Sequence, residues 1–158
     1  MHDSSLSILL KIAQTINPQI KKDRSFDIDL DKFRQLPVGT LGYEVAGFID
    51  RNGFEPIDSG DWIQRTHDVW HVLTGLSPSR QDELTLQAFT RAQVFRPSCA
   101  IFVLAGLLTR NCTIEDIFRG LQYGKMASPL LDWDIESDWE MPLVEVRQKL
   151  GIQPFNGE

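Results

Sequence analysis

Apolar side chains recur along this chain at intervals of three and four residues, the spacing that gathers them on one face of an α-helix. Leu6, Leu9, Leu10, Ala13 and Ile16 form the first such stripe, with Asp3 placed to cap the helix and Asn17-Pro18 to end it. A short helical turn is expected over residues 30–36 before Pro37, then a helix carrying Leu41, Val45, Ala46, Phe48 and Ile49. Gly53 can close that helix, because glycine adopts the left-handed conformation cheaply. Residues 55–60, with Pro56, Asp58 and Gly60, read as a loop.

Asp61 is expected to start one helix running through about Thr74, with Gly75 as its stop. Ser77-Pro78-Ser79 then turns the chain into a helix that begins near Arg80, which makes a helical hairpin. Leu84, Ala88, Phe89 and Ala92 continue the second arm to Phe95, where Pro97 must kink or end it by removing a backbone donor. Ser98 restarts a helix that is apolar on every side. Thr113 with Asp116 resembles a capping arrangement for a helix through Gln122, and Asp138 opens a last helix that Gly151 ends. No period-two alternation of useful length appears, so the expected fold is all-α: a compact bundle of about six to eight helices in one domain over residues 1–158.

Composition then removes several classes of function. With 158 residues, 42% of them hydrophobic, one substantial core can close. A net charge of -6 with scattered Lys and Arg supplies no stripe for phosphate backbones, so nucleic acid is not an expected partner. Lys21, Lys22 and Arg24 read as a solvated loop. Cys99 and Cys112 lie thirteen apart without C-x-x-C spacing, and the N-terminus does not read as a signal peptide, so a reducing, cytoplasmic setting is expected. The Asn111-Cys112-Thr113 sequon is then accidental. The longest apolar run, residues 98–108, would extend only about 16 Å as a helix, about half a bilayer core.

The chemistry concentrates in the expected hairpin. Side chains four apart on a helix project from one face, so His67 and His71 can hold one ion between their imidazoles, and Asp68 shares that edge. His71 stands four residues before Gly75 and Glu83 four after Ser79, each about one turn from the connection, so Glu83 is the expected fourth ligand, with Asp82 as its substitute. Two imidazoles and two carboxylates suit Zn²⁺ best and leave Mn²⁺, Fe²⁺ and Mg²⁺ open, because no thiolate imposes softness. Asp58 or Asp61 would be the outer partner that fixes a histidine tautomer. Paired helical histidines also arise by chance. Here two of only three His in the chain fall in one turn, beside acids in both remaining suitable places.

The string HDVWHVLTGLSPSRQDE, residues 67–83, has H-D-x-x-H, then eleven residues, then E, and strongly resembles the coenzyme Q biosynthesis family known as the fourth COQ protein. LPVGTLGYEVAGFIDRNGFEP (residues 36–56) is similar to that family's leading helix, and GKMASPLLDWDIESDWEMPLVEVRQKLGI (residues 124–152) to its closing segment, with a final R-x-x-L-G-I. The resemblance implies a helical, peripherally membrane-associated protein of polyprenylated-quinone biosynthesis in which His67, Asp68, His71 and Glu83 bind zinc or another divalent ion. It further implies one of two roles: organising the other quinone-biosynthesis proteins, or oxidative decarboxylation of the prenylated ring at C1, with His67, Asp68 and Glu83 as candidate catalytic residues. Asp82 stands where the family usually has Gly. The approach to the motif is short and a mitochondrial targeting segment is not evident, so a bacterial source is expected, acting at the inner face of a membrane where it meets lipid.

A prenylated substrate needs apolar surface for its tail. Trp62, Trp70, Phe89 and Phe95 are candidates to line it, together with Ile101, Phe102, Leu104 and Leu108 from the apolar helix. On residues alone these positions read as ordinary core, and the resemblance is what brings a polyprenyl lipid or prenylated aromatic acid into view. Self-association is open, since an acidic, apolar-rich helical chain can pair without a heptad seam. A third class, a metal phosphohydrolase of the HD type, would need an upstream His ligand, and only His2 is available.

Overall fold

The computed structural model describes residues 15–20 and 26–156. Among them, in chain order, are α1 (Leu30–Phe33), α2 (Leu41–Asn52), α3 (Trp62–Arg65), α4 (His67–Thr74), α5 (Arg80–Gln93), α6 (Pro97–Leu108), α7 (Ile114–Met126) and α8 (Leu143–Leu150), with a 3₁₀ turn, Ile135–Asp138, before α8. The fold is all-α, as the periodicity predicts; the described residues hold one isolated bridge, Thr40 to Pro142, and no strand. The stripe from Leu6 to Ala13 lies outside the described residues. The chain divides into two compact units, one of Ile20–Ser77 with Met126–Glu158 and one of Met1–Gln19 with Pro78–Lys125.

In the first unit, α2 buries Leu41, Val45, Ala46, Phe48 and Ile49, the predicted stripe, and ends at Gly53 with φ 64°. No side chain caps its N-terminus. The chain's closing segment supplies acceptors to its orphan donors: the Leu41 amide donates to the Met141 carbonyl and the Gly42 amide to that of Trp139, both at 2.9 Å. α1, α4 and α8 pack against α2, around Phe33, Ile49, Trp70, Leu73, Ile135 and Val146, all nearly inaccessible to solvent. Each such side chain contributes about 1.5–3 kcal/mol by leaving water. Phe26 meets the Trp62 ring edge-on at 5.2 Å and Trp139 at 5.9 Å, which ties the start of α3 to the closing segment.

Two boundaries here differ from the periodicity. The helix expected over residues 61–74 is two helices, broken at Thr66, where φ −95° and ψ 4° leave the helical range. Asp61 caps the first with a full capping box: its carboxylate accepts from the Gln64 amide, and Gln64 Oε1 from the Asp61 amide. Thr66 is fully buried and donates its hydroxyl to the Trp62 carbonyl at 2.8 Å, a side-chain-to-backbone bond of the kind that often bends helices. α4 therefore begins at His67. At the other end, Asp138 does not open the last helix. It closes the 3₁₀ turn, where its buried carboxylate accepts from Trp133 Nε1 (2.7 Å) and Lys149 Nζ (2.6 Å), and α8 starts only after Pro142.

In the second unit, Ser79 caps α5 through its hydroxyl, which accepts from the Asp82 amide at 3.2 Å. α5 stops at Gln93, short of the predicted Phe95, because Val94 and Arg96 are extended, the conformation a residue before proline prefers. Pro97 thus ends the run, as expected of it, and is also the first residue of α6. Thr113 and Asp116 make the reciprocal cap expected of them, and α7 runs past Gln122 to Met126. Leu84, Ala88, Cys112 and Ile117 form the core, with Phe102, Val103, Leu107 and Leu121 packed on it. A Cβ on Gly120 or Gly124 would stand 2.5 Å from the Thr85 or Phe89 carbonyl oxygen, so only glycine lets α7 lie this close to α5. No helix among the described residues is long and apolar enough to cross a membrane.

Candidate metal centre

The break at Thr66 sets the register of the site. With α4 starting at His67, that histidine occupies the first turn and His71 the last, and their rings stand edge to face with centroids 4.7 Å apart. Their Nε2 atoms are 3.2 Å apart. Asp68 lies between them in sequence and is buried, as is His71, while His67 is half-buried.

His71 is held on two sides. Phe48 of α2 stacks on its ring at 5.2 Å and 19°. Its Nδ1 is 3.1 Å from the Leu76 carbonyl oxygen. A carbonyl only accepts, so neutral His71 carries its proton on Nδ1 and turns the Nε2 lone pair toward His67. Two nitrogens 3.2 Å apart, each about 2.0–2.1 Å from one cation, would subtend about 100° at it, near the tetrahedral angle. The pair therefore fits a zinc-like ion, and equally makes a direct hydrogen bond when His67 Nε2 keeps its proton.

For His71 the tautomer partner is a backbone carbonyl, that of Leu76. Asp58 is exposed, and the Asp61 carboxylate is engaged in capping α3. Leu76 is within reach because Gly75, with φ 70°, turns the chain back over the end of α4. That end is tied to the closing segment: Arg147 donates from Nε to the Leu73 carbonyl (2.9 Å) and from Nη2 to that of Val72 (3.0 Å). The Phe155 amide donates to the Thr74 carbonyl at 2.8 Å, and the Asn156 side-chain amide to that of Gly75. The sequence pattern missed Phe48, read only as core, and Leu76, which contributes no side chain. Arg147 was visible only as the first letter of R-x-x-L-G-I.

Glu83 belongs to the other compact unit, in the first turn of α5, half-buried, with Oε1 accepting from Gln87 Nε2 at 2.8 Å. Asp82 precedes it in the same turn. The positions predicted for lipid divide by exposure. Trp62, Trp70 and Phe89 are buried core and Phe102 is half-buried, while Phe95 (63%), Ile101 (40%), Leu104 (59%) and Leu108 (77%) are exposed.

Fold and site together define an all-α protein that presents two converging imidazole nitrogens from one short helix. The sequence pattern of the coenzyme Q (ubiquinone) biosynthesis protein Coq4 family matches residues 61–156, a span that contains the histidine helix and everything that caps it. The chain belongs to that family. It is 31% identical over 147 residues to the mitochondrial ubiquinone biosynthesis protein COQ4 homolog of Mus musculus, covering 80% of this chain and 55% of that protein. It is 28% identical over 166 residues to the COQ4 protein of Pyricularia oryzae, covering 90% of this chain and 55% of that one. The chain thus spans about half the length of the curated relatives it matches. A Nostoc punctiforme protein assigned to ubiquinone biosynthesis shares the fold, with a TM-score of 0.64 and 23% identity over 90% of this chain and 74% of that one.

Proposed function

We propose that this chain works in quinone biosynthesis, holding one divalent cation with His67, His71 and Glu83 and acting on a prenylated aromatic acid. The observation that carries the reading is the pair of Nε2 atoms 3.2 Å apart, inside the segment matched to the family. His67, His71 and Glu83 offer two imidazole nitrogens and a carboxylate, a donor set suited to Zn²⁺ and open to Mg²⁺, Mn²⁺ or Fe²⁺. Glu83 is assigned because it lies one turn beyond a short connection, as His71 lies one turn before it.

The reaction proposed is oxidative decarboxylation at C1 of the ring. The bond from C1 to the carboxylate breaks to release CO₂, water supplies the hydroxyl that takes its place, and the two electrons the ring loses reduce molecular oxygen to hydrogen peroxide. A bound cation would supply Lewis acidity toward the ring phenolate and carboxylate. His67 and His71 position that acid, and Asp68 or Glu83 takes up and returns a proton at the phenol oxygen. For the isoprenoid tail we assign the exposed apolar side chains of Ile101, Leu104 and Leu108 on α6, with Phe95 just before it. The same surface gives the chain a means of meeting a membrane, and other quinone-biosynthesis proteins are its proposed partners.

The test is turnover of a prenylated 4-hydroxybenzoate-type acid by the purified chain under air, after loading with Zn²⁺, Mn²⁺ or Fe²⁺ in turn. Release of CO₂ with a hydroxylated product, abolished in His67→Ala and Glu83→Ala proteins of unchanged helical content, is the expected result. An isoprenoid that co-purifies with a chain giving no turnover would replace the enzyme reading with that of a lipid-binding organiser.

A further inference from the structure

The histidine helix ends against the chain's own closing segment, where one arginine makes two of the contacts. The last carbonyls of a helix have no partners within it. For α4, Arg147 satisfies two successive ones, Val72 and Leu73, with two nitrogens of a single guanidinium. Phe155 and Asn156 take the next two, Thr74 and Gly75. The residue that follows is Leu76, whose carbonyl meets His71 Nδ1 at 3.1 Å. The chain reaches that carbonyl through Gly75 in a left-handed turn, the conformation with the least steric restraint of its own.

We propose that Arg147 is a positioning residue for the histidine pair: by clamping the end of α4 it holds the Leu76 carbonyl against His71 Nδ1, and so fixes the tautomer that presents the Nε2 lone pair to His67. A planar fork reaches both carbonyls at once, whereas the point-like ammonium of lysine reaches one. Phe48, stacked on the ring at 5.2 Å, resists rotation about the same bond. The consequence for ion affinity rests on the cation reading above. The tautomer itself is a property of the metal-free chain.

The two are therefore separable by experiment. In the full chain, metal-free and at about pH 9, above the ordinary imidazole range, ¹⁵N shifts of the histidine rings are expected to show His71 protonated on Nδ1. A ring protonated on Nε2 overturns the proposal. Arg147→Met keeps the aliphatic stem and should give a mixture of tautomers at unchanged helical content, with Co²⁺ affinity reduced roughly tenfold, the lower end of the cost of losing an outer-shell partner. Arg147→Lys should recover part of that loss. A single Nδ1-protonated form and unaltered affinity in Arg147→Met would show the arginine to be a packing contact only. If Arg147→Met loses its helical signal, exposed Asn156, which holds the adjoining Gly75 carbonyl, gives the same reading as Asn156→Ala, with tautomer mixing supporting the proposal and an unmixed His71 opposing it. Wild-type chain that shows the expected tautomer but takes up no Co²⁺ would sink the cation reading and leave the positioning role standing.

Discussion

Asp138 is 2% exposed, and its carboxylate serves both the Trp133 indole and the Lys149 ammonium. Burial alone would raise its pKa; the hydrogen bonds from Lys149 and Trp133 outweigh that and hold it below the ordinary carboxylate range. A carboxyl lowered in this way adds stability that is complete above its unfolded pKa, about 3.9, and is lost as pH falls through the folded value. Asp138→Ala should therefore lower unfolding free energy at pH 7 by about 1–3 kcal/mol, chiefly by leaving a buried indole without its acceptor. In urea titrations the gap between wild type and variant should narrow once the pH drops below about 4. At this scale the histidine pair was legible, because spacing by four on a helix puts two imidazoles on one face. The Leu76 carbonyl was not, since every residue has a carbonyl and only a turn at Gly75 decides which one reaches His71. Asp138 was misread as a cap for a related reason: Asp before an apolar stripe looks the same whether it caps a helix or anchors an indole.

Among the elements, the stripes and stop signals were mostly readable. Gly53, Gly75 and Gly151 each end a helix in the left-handed conformation, and Thr113 with Asp116 forms the cap its spacing suggests. Breaks inside a stripe were not readable. Apolar periodicity continues through Thr66 without interruption, yet the helix divides at this residue, whose buried hydroxyl bonds the Trp62 carbonyl. The approach of α7 to α5 is likewise a property of pairs of elements. Gly120→Val would place a branched side chain against the Thr85 carbonyl and Ala88, and should destabilise by about 1–3 kcal/mol or more through overpacking. Circular dichroism during thermal unfolding should show an earlier transition for this variant. An unshifted transition would mean that α7 can move away from α5 at little cost.

At the scale of the whole molecule, the two compact units are assembled from interleaved stretches of chain, with residues 126–158 returning to complete the unit begun at residue 20. Periodicity announces which face of a helix is buried and is silent about its partner, so this return could not be read from the pattern. It is what brings Arg147, Phe155 and Asn156 to the end of the histidine helix. The exposed apolar side chains of α6 belong to this scale too: Leu104→Ser with Leu108→Ser should leave unfolding nearly unchanged and reduce recovery of isoprenoid with the purified chain. Equal isoprenoid recovery in both proteins would remove α6 from the lipid reading. The function proposed for this chain requires the two imidazoles on α4 to hold a cation. The most direct test of that requirement is competitive titration of the metal-free chain with Zn²⁺ against a chromophoric chelator. One tightly bound ion per chain, lost in the His67→Ala, His71→Ala double variant, is the expected result; equal stoichiometry and affinity in the double variant would contradict it.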